Sequence, residues 1–281
     1  MNRTDDWYDV ERVTDRGYRV VEGEGYGMYL VTGADRAAVV DAGIGVGDLR
    51  GLVEGLVDVP VALLLTHWHW DHIGAAADFD DVRISRRDAG PDGRVAVDAH
   101  TDEFVHRPAA FVEEWRAAGN DFPDGFDPDA YAIDPVEDPT PVEPGETFDL
   151  GDRRLEYVDA PGHSRGHVAV LDRSEGVLYG GDVVHRDAGL YAHFEGCDLA
   201  AYRETFERLV RLRNDGAFDA LLTSHNPPFE GGDLGVLDRL RDGIDRILDG
   251  AATPERVETA WGPADRYVFD GSPVVTRPGA P

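Results

Sequence analysis

Between Thr66 and Ile73 the chain reads His67-Trp68-His69-Trp70-Asp71-His72, three imidazoles and a carboxylate within six residues. A borderline divalent cation such as Zn²⁺ selects these donors, and on an extended backbone a spacing of two puts His67 and His69 on one side. More such residues occur at long intervals: His163 and His167 in PGHSRGH, Asp182 after Gly180-Gly181, and His225 in Ser-His-Asn. Each comes soon after a short β-branched run that reads as a strand. Two neighbouring cations need several imidazoles and a shared carboxylate, and these segments supply them.

The elements that must carry these residues are legible from periodicity. YDVERV, YRVVEG, GMYLVTG and RAAVVDAG are short, β-branched or aromatic, and separated by Gly or Asp, which suggests an antiparallel start. Leu49 to Val57 reads as helix, and Val61 to Leu65 as a buried strand running straight into the histidine loop. A loop at a strand's C-terminal end is a favourable place for a site. From residue 98 to 144 the texture changes to seven prolines, a helical patch at Phe111 to Ala118 and scattered aromatics; this stretch reads as an insertion or lid. ETFDLG, RRLEYVDA, HVAVLDR, GVLYGGD and FDALLTSH then read as strands, with amphipathic helices at Leu199 to Leu212 and Val236 to Leu248. Residues 271–281, rich in proline, read as a disordered tail. This order suggests two β-rich halves packed face to face with helices outside.

Composition removes several alternatives. Fifty-six acidic against 27 basic residues give a net charge of −29, and the sequence contains no Lys, so lysine Schiff bases and P-loop lysines are excluded. Such a field repels phosphate backbones and anionic lipid, so neither a nucleic acid nor a membrane is an expected partner. The acidic excess resembles that of proteins from salt-loving organisms and reads as habitat, not substrate. The longest apolar runs are strand-sized, far below the roughly 18 residues of a membrane span. With an N-terminus lacking an apolar stretch and a single cysteine, Cys197, the expected location is cytoplasmic.

Taken in order, an aspartate ending an early strand (Asp41 in VVDAG), HxHxDH, a Gly-His-Ser turn, an aspartate after Gly and a late histidine resemble the motif series of the metallo-β-lactamase superfamily. The resemblance runs from about residue 26 to about residue 226. It implies an α/β fold, a four-layer αββα sandwich of two mixed β-sheets flanked by helices, as one domain over residues 1–281. It also implies a first cation on His67, His69 and His163, a second on Asp71, His72 and His225, and Asp182 bridging them. The cofactors would be two divalent ions, Zn²⁺ first, with Fe or Mn as alternatives. His225 departs from the usual Gly-His. Asp41 has two readings, a turn residue closing its strand or a carboxylate that orients ligands from behind.

Two cations bridged by a carboxylate can hold a hydroxide between them and deliver it to an electrophilic carbon, so the implied reaction is hydrolysis. Asp71 and Asp182 would position the hydroxide and shuttle a proton. Tyr191 either donates its phenol to the developing oxyanion or simply packs. His69 in place of Glu argues against the di-iron flavoprotein branch, and Cys197 outside the ligand motifs argues against antibiotic hydrolysis. What remains are the glyoxalase II-like and lactonase-like branches, with a small-molecule acyl thioester, ester or lactone as substrate. Oligomeric state is not readable.

Phe104, Phe111, Trp115, Phe122, Phe126 and Tyr131, with Trp68 and Trp70, form either an aromatic mouth for an acyl chain or a small satellite core. Arg239, Arg241 and Arg246 lie on the helix where glyoxalase II-like relatives recruit their thiol. The competing classes are a mononuclear iron persulfide dioxygenase-like oxidoreductase and a noncatalytic metal-binding protein. Among the other histidines, His167 reads as a structural hydrogen-bonding residue, His100 and His106 as solvated, and His185 and His193 as cavity lining. Cys197 reads as a small packing residue.

Overall fold

The computed structural model describes residues 3–4, 7–23, 25–186, 189–225 and 227–280. Asn226 of the Ser-His-Asn motif and Pro281 lie outside the described residues. The chain divides into two compact units, residues 1–157 and 158–281.

Unit 1 carries β1 (Arg3–Thr4), β2 (Tyr8–Thr14), β3 (Gly17–Glu22), β4 (Tyr26–Thr32), β5 (Ala37–Val40), α1 (Leu49–Glu54), β6 (Val61–Leu64), β7 (Val82–Ser85), α2 (Arg107–Ala117), β8 (Thr140–Val142) and β9 (Thr147–Asp149), and most of β10 (Arg154–Asp159). Strands β1 to β8 form one eight-stranded sheet in chain order. The first five pair antiparallel, as the sequence suggests, and β5 through β8 pair parallel. The sequences AAVV and VALL of β5 and β6 are almost wholly buried, the signature of parallel strands covered on both faces. Because β5 and β6 are parallel with Val40 beside Leu64, Asp41 and the histidine loop leave the sheet from the same edge.

The 98–144 stretch is built into this unit. Its helix begins at Arg107, earlier than the apolar spacing indicates, because Pro108 sits in the first turn, where a missing N–H costs nothing. Its last residues form β8, parallel to β7. Phe111 stacks near Trp70 and Trp115, and Trp115 in turn meets Trp7 and Phe122. These rings form a satellite cluster within unit 1.

Unit 2 contains β11 (Val168–Asp172), β12 (Val177–Gly181), β13 (Leu190–Ala192), α3 (Leu199–Asn214), β14 (Ala220–Thr223), β15 (Phe229–Glu230), α4 (Val236–Leu248), β16 (Glu255–Thr259), β17 (Gly262–Phe269) and β18 (Ser272–Thr276). Strand β12 pairs antiparallel with β11 and parallel with β14. Helix α3 buries Tyr202, Phe206, Leu209 and Val210 at three and four spacing, and Asp198 caps its N-terminus by accepting from Ala201 N at 3.0 Å. Helix α4 packs on α3, β17 and β18.

The reading of residues 271–281 as a tail is corrected here. Ser272–Thr276 is an internal strand, with all five residues buried, lying between β13 and β17 in a four-stranded sheet. Asp270 and Gly271, with φ of 47° and 83°, form a two-residue turn that folds β18 back along β17. The proline that reads as a strand breaker, Pro273, sits near the start of β18 opposite Val268, where a strand tolerates it. The whole is an α/β fold of mixed sheets with helices, and among the described residues no helix is long and apolar enough to cross a membrane.

Candidate metal centre

In unit 1 the site is built at the shared edge of β5 and β6. Asp41 follows β5 and adopts φ 64°, a left-handed conformation that Asp tolerates better than most residues. That turn points its carboxylate inward, where it is 2 % exposed. Oδ1 accepts from Thr66 N at 2.8 Å, and the Thr66 hydroxyl lies 2.9 and 2.8 Å from the two carboxylate oxygens. Oδ2 lies 2.9 Å from His72 Nδ1. Both readings of Asp41 therefore hold: it closes its strand and orients the histidine loop.

This network fixes the tautomers. A carboxylate only accepts, so His72 Nδ1 carries the proton and its lone pair is on Nε2. Thr66 donates its hydroxyl proton to Asp41 and must accept from His67 Nδ1, 3.0 Å away, so His67 also keeps its lone pair on Nε2. The ring centroids of His67 and His69 are 4.5 Å apart and those of His67 and His72 4.0 Å, because a turn in which His72 N donates to His69 O folds the loop back. His72 Nε2 and Asp71 Oδ1 are 4.0 Å apart. Neutral imidazoles with Nε2 lone pairs, clustered beside a carboxylate, are what a divalent cation requires. Unit 1 thus brings together its four sequence-predicted donors, His67, His69, Asp71 and His72.

Unit 2 gathers its own donors around Asp182, at the end of β12 and 5 % exposed. Asp182 Oδ2 lies 3.6 Å from His163 Nε2 and 3.6 Å from His185 Nε2, and Oδ1 lies 3.5 Å from His225 Nε2. Two donors bound to one ion stand about this far apart when each lies about 2.0–2.1 Å from it. His163 Nδ1 faces the carbonyl of Tyr191 at 3.3 Å, which can only accept, so this imidazole too presents an Nε2 lone pair. His167 does what the sequence assigns it: its Nε2 accepts from Asp182 N at 3.2 Å.

Several participants are not evident in the sequence. Cys197 lends its thiol to His163 O at 3.1 Å, and Tyr202 donates to the same Tyr191 carbonyl at 3.2 Å, so both brace the His163 turn. The His185 ring lies tilted 4.9 Å from that of Tyr191, and the His193 ring meets Tyr191 edge-on at 5.4 Å. His193 is 8 % exposed, and neither ring nitrogen has a hydrogen-bond partner among the described residues. Burial first, and then interactions with His163 and Arg277, lower its pKa to about 4. Burial and then Asp182 hold the Tyr191 phenol protonated beyond the usual range. His100 is exposed, as read from the sequence, yet anchored through Asp88 O at 3.1 Å and the Trp68 ring. Arg241 is paired with Asp242 and Asp238, and Arg246 lies over Phe269.

The family model of the metallo-beta-lactamase superfamily matches residues 27–215, more than half of the chain and all but one of the predicted donors. This chain belongs to the metallo-beta-lactamase superfamily. Among curated relatives, "Acyl-coenzyme A thioesterase MBLAC2" of Gallus gallus is 29 % identical over 211 residues, covering 70 % of this chain and 71 % of the relative. The protein of the same name from Homo sapiens is 26 % identical over 242 residues, covering 78 % and 81 %. Among solved structures, a metallo-beta-lactamase from Pontibacter korlensis superposes with a TM-score of 0.57 at 18 % identity, over 85 % of this chain and 99 % of that one, a likeness of fold. Divalent metal binding is general to this superfamily, and the His and Asp groups of both units fit it.

Proposed function

We propose that this chain is a binuclear metal-dependent hydrolase of acyl thioesters, acting as a single catalytic domain. The observation that carries the substrate class is the likeness to relatives named acyl-coenzyme A thioesterases, which extends over most of both chains. The metal reading is supported by the chemistry of the donor set, with three imidazoles held in the Nε2 lone-pair form by Asp41, Thr66 and the Tyr191 carbonyl. His67, His69 and His163 would hold one ion, Asp71, His72 and His225 the other, and Asp182 would bridge them. Zn²⁺ is the cation proposed, with Fe and Mn as the alternatives to be measured. Bound there, such ions supply Lewis-acid polarisation of the acyl carbonyl and a water of lowered pKa.

The chain's own residues do the rest. The carboxylates of Asp71 and Asp182 orient the attacking water and take up its proton, which is then available to the departing thiolate. The Tyr191 phenol, kept protonated by burial and by Asp182, donates to the oxygen on which charge develops. Asp41 and Thr66 keep the imidazoles in register and in one tautomer throughout.

The test is a panel of acyl-CoA thioesters, lactones and phosphodiesters, assayed in high salt with Zn²⁺, Mn²⁺ or Fe²⁺. Thioester turnover is expected to exceed that of the other classes, and Asp71→Ala or His72→Ala to lower kcat about a thousandfold. Unchanged turnover in those variants would remove the two-metal mechanism. A single iron per chain with oxygen uptake would replace hydrolysis by oxidation.

A further inference from the structure

Glu22, the last residue of β3, is completely buried, and its carboxylate collects five donors. Oε2 accepts from the backbone N–H groups of Ile44 at 2.8 Å and Gly45 at 3.1 Å. Oε1 accepts from Val46 N at 2.7 Å, Gly47 N at 3.0 Å and the Trp7 indole at 2.9 Å. Four consecutive N–H groups aimed into one concavity form an anion nest, here filled by the chain's own side chain. All five donors are neutral, and burial raises the carboxyl pKa above its usual range while the hydrogen bonds pull it down. An apolar side chain of the same volume would leave these five buried donors without an acceptor, a penalty for each orphaned group. Packing alone does not account for Glu here.

The nest loop is stitched to the histidine loop. Ala42 N donates to His72 O at 2.8 Å, Gly74 N to Gly43 O at 2.8 Å, and Ala75 N to Ala42 O at 3.2 Å. The two backbones approach so closely that a Cβ on Gly74 would lie 2.0 Å from the Ile44 carbonyl carbon, and one on Gly45 2.4 Å from the Gly74 carbonyl. On its other side the nest loop is held by the Tyr131 hydroxyl, which donates to Ile44 O. Neither loop can shift without carrying the other.

We propose that Glu22 is a positioning residue for the ligand loop: by clamping the N–H groups of Ile44 to Gly47 it fixes Ala42 and Gly43, which hold His72 and Gly74 through the backbone while Asp41 holds the His72 ring. It reaches the cation only through these residues. The proposal rests on the metal reading of the unit 1 donors and is independent of the substrate.

Glu22→Gln tests it, because the volume is kept while an NH₂ group is turned toward N–H donors. Zn²⁺ and Co²⁺ affinities are measured by competition with a chromophoric chelator, together with the visible absorption of the Co²⁺ form. The control is Asp172→Asn, a buried carboxylate of unit 2 that bonds Ser174 in the β11–β12 turn. E22Q is expected to weaken metal binding about 10- to 100-fold and to shift the Co²⁺ spectrum, whereas D172N leaves both in place. Glu22→Ala with added formate, which can re-enter the nest, is expected to recover affinity. Should E22Q fail to fold, Trp7→Phe removes one of the five donors and is expected to weaken binding about threefold. Wild-type affinity and spectrum in E22Q and W7F, or an equal loss in D172N, would overturn the proposal. A wild-type protein that takes up no metal would instead overturn the metal reading on which it stands.

Discussion

In unit 1 one buried carboxylate, Asp41, aims the imidazole of His72 directly and that of His67 through the Thr66 hydroxyl; in unit 2 the imidazole of His163 is aimed by a backbone carbonyl, that of Tyr191. His67, His69 and His72 of unit 1 come from one tight turn and are at most 3 % exposed, whereas His225 of unit 2 has a side chain 24 % exposed. A carboxylate behind an imidazole raises its basicity and locks its tautomer, and in a buried setting it does so rigidly. A carbonyl is a weaker partner and moves with its strand, so the His163 side depends on β13 and on β18, which pairs with it. Unit 1 should therefore be brittle at one residue, and unit 2 at a whole strand.

The largest expected effect tests the strand. Val274, fully buried in β18 and paired with Leu190, becomes an unpaired buried charge in Val274→Asp; stability should fall by more than about 4 kcal/mol, read from urea unfolding. Asp41→Ala should cost about 3 kcal/mol, because Thr66 N and His72 Nδ1 lose a charged acceptor, and should lower metal affinity about 10- to 100-fold in a chelator competition. If this variant lost stability but kept its metal, the rigid-turn account of unit 1 would be wrong.

A smaller effect separates the units by pH. Folded His193 stays neutral down to about pH 4, whereas in the unfolded chain it takes a proton near its ordinary 6.5. Below 6.5 the unfolded state binds more protons, so this residue makes stability fall as pH drops from 6.5 toward 4 and contributes no slope above it. In His193→Phe, with chelator present to remove metal effects, urea midpoints should decline less across that window than in wild type. The smallest expected change is Cys197→Ala, which deletes a weak donor to His163 O; about 1 kcal/mol or less and little change in metal affinity are expected. A larger loss of metal there would show that the His163 turn is held more tightly than its partners suggest.

Legibility in the sequence tracked how local each determinant is. The six-residue histidine turn is read directly, since spacing alone sets which side chains share a side. The strands around it are read from β-branched runs, and α3 and α4 from their apolar period. Glu22 is not legible, because near the end of YRVVEG it looks like an outward strand residue, its backbone partners lie more than twenty positions on and Trp7 lies fifteen positions before it. The glycine-rich AGIGVG segment that forms its nest was the available signal. The C-terminal sheet is hidden in the sequence because Pro273 and Pro278 resemble fraying, although Asp270-Gly271 between two short apolar runs is a strong hairpin signature. The bracing of His163 by Cys197 and Tyr202 is invisible for the same reason as Glu22: hydrogen bonds to a backbone carbonyl leave no spacing pattern.

The close approach of Gly74 to Ile44 and Gly45 constrains how this protein can evolve. Any side chain at Gly74 or Gly45 drives a carbon into a neighbouring peptide group, so neither position has a tolerated single-step neighbour. Drift in one loop has to be matched at once in the other, and a library randomised at both codons together is where a second solution would be found.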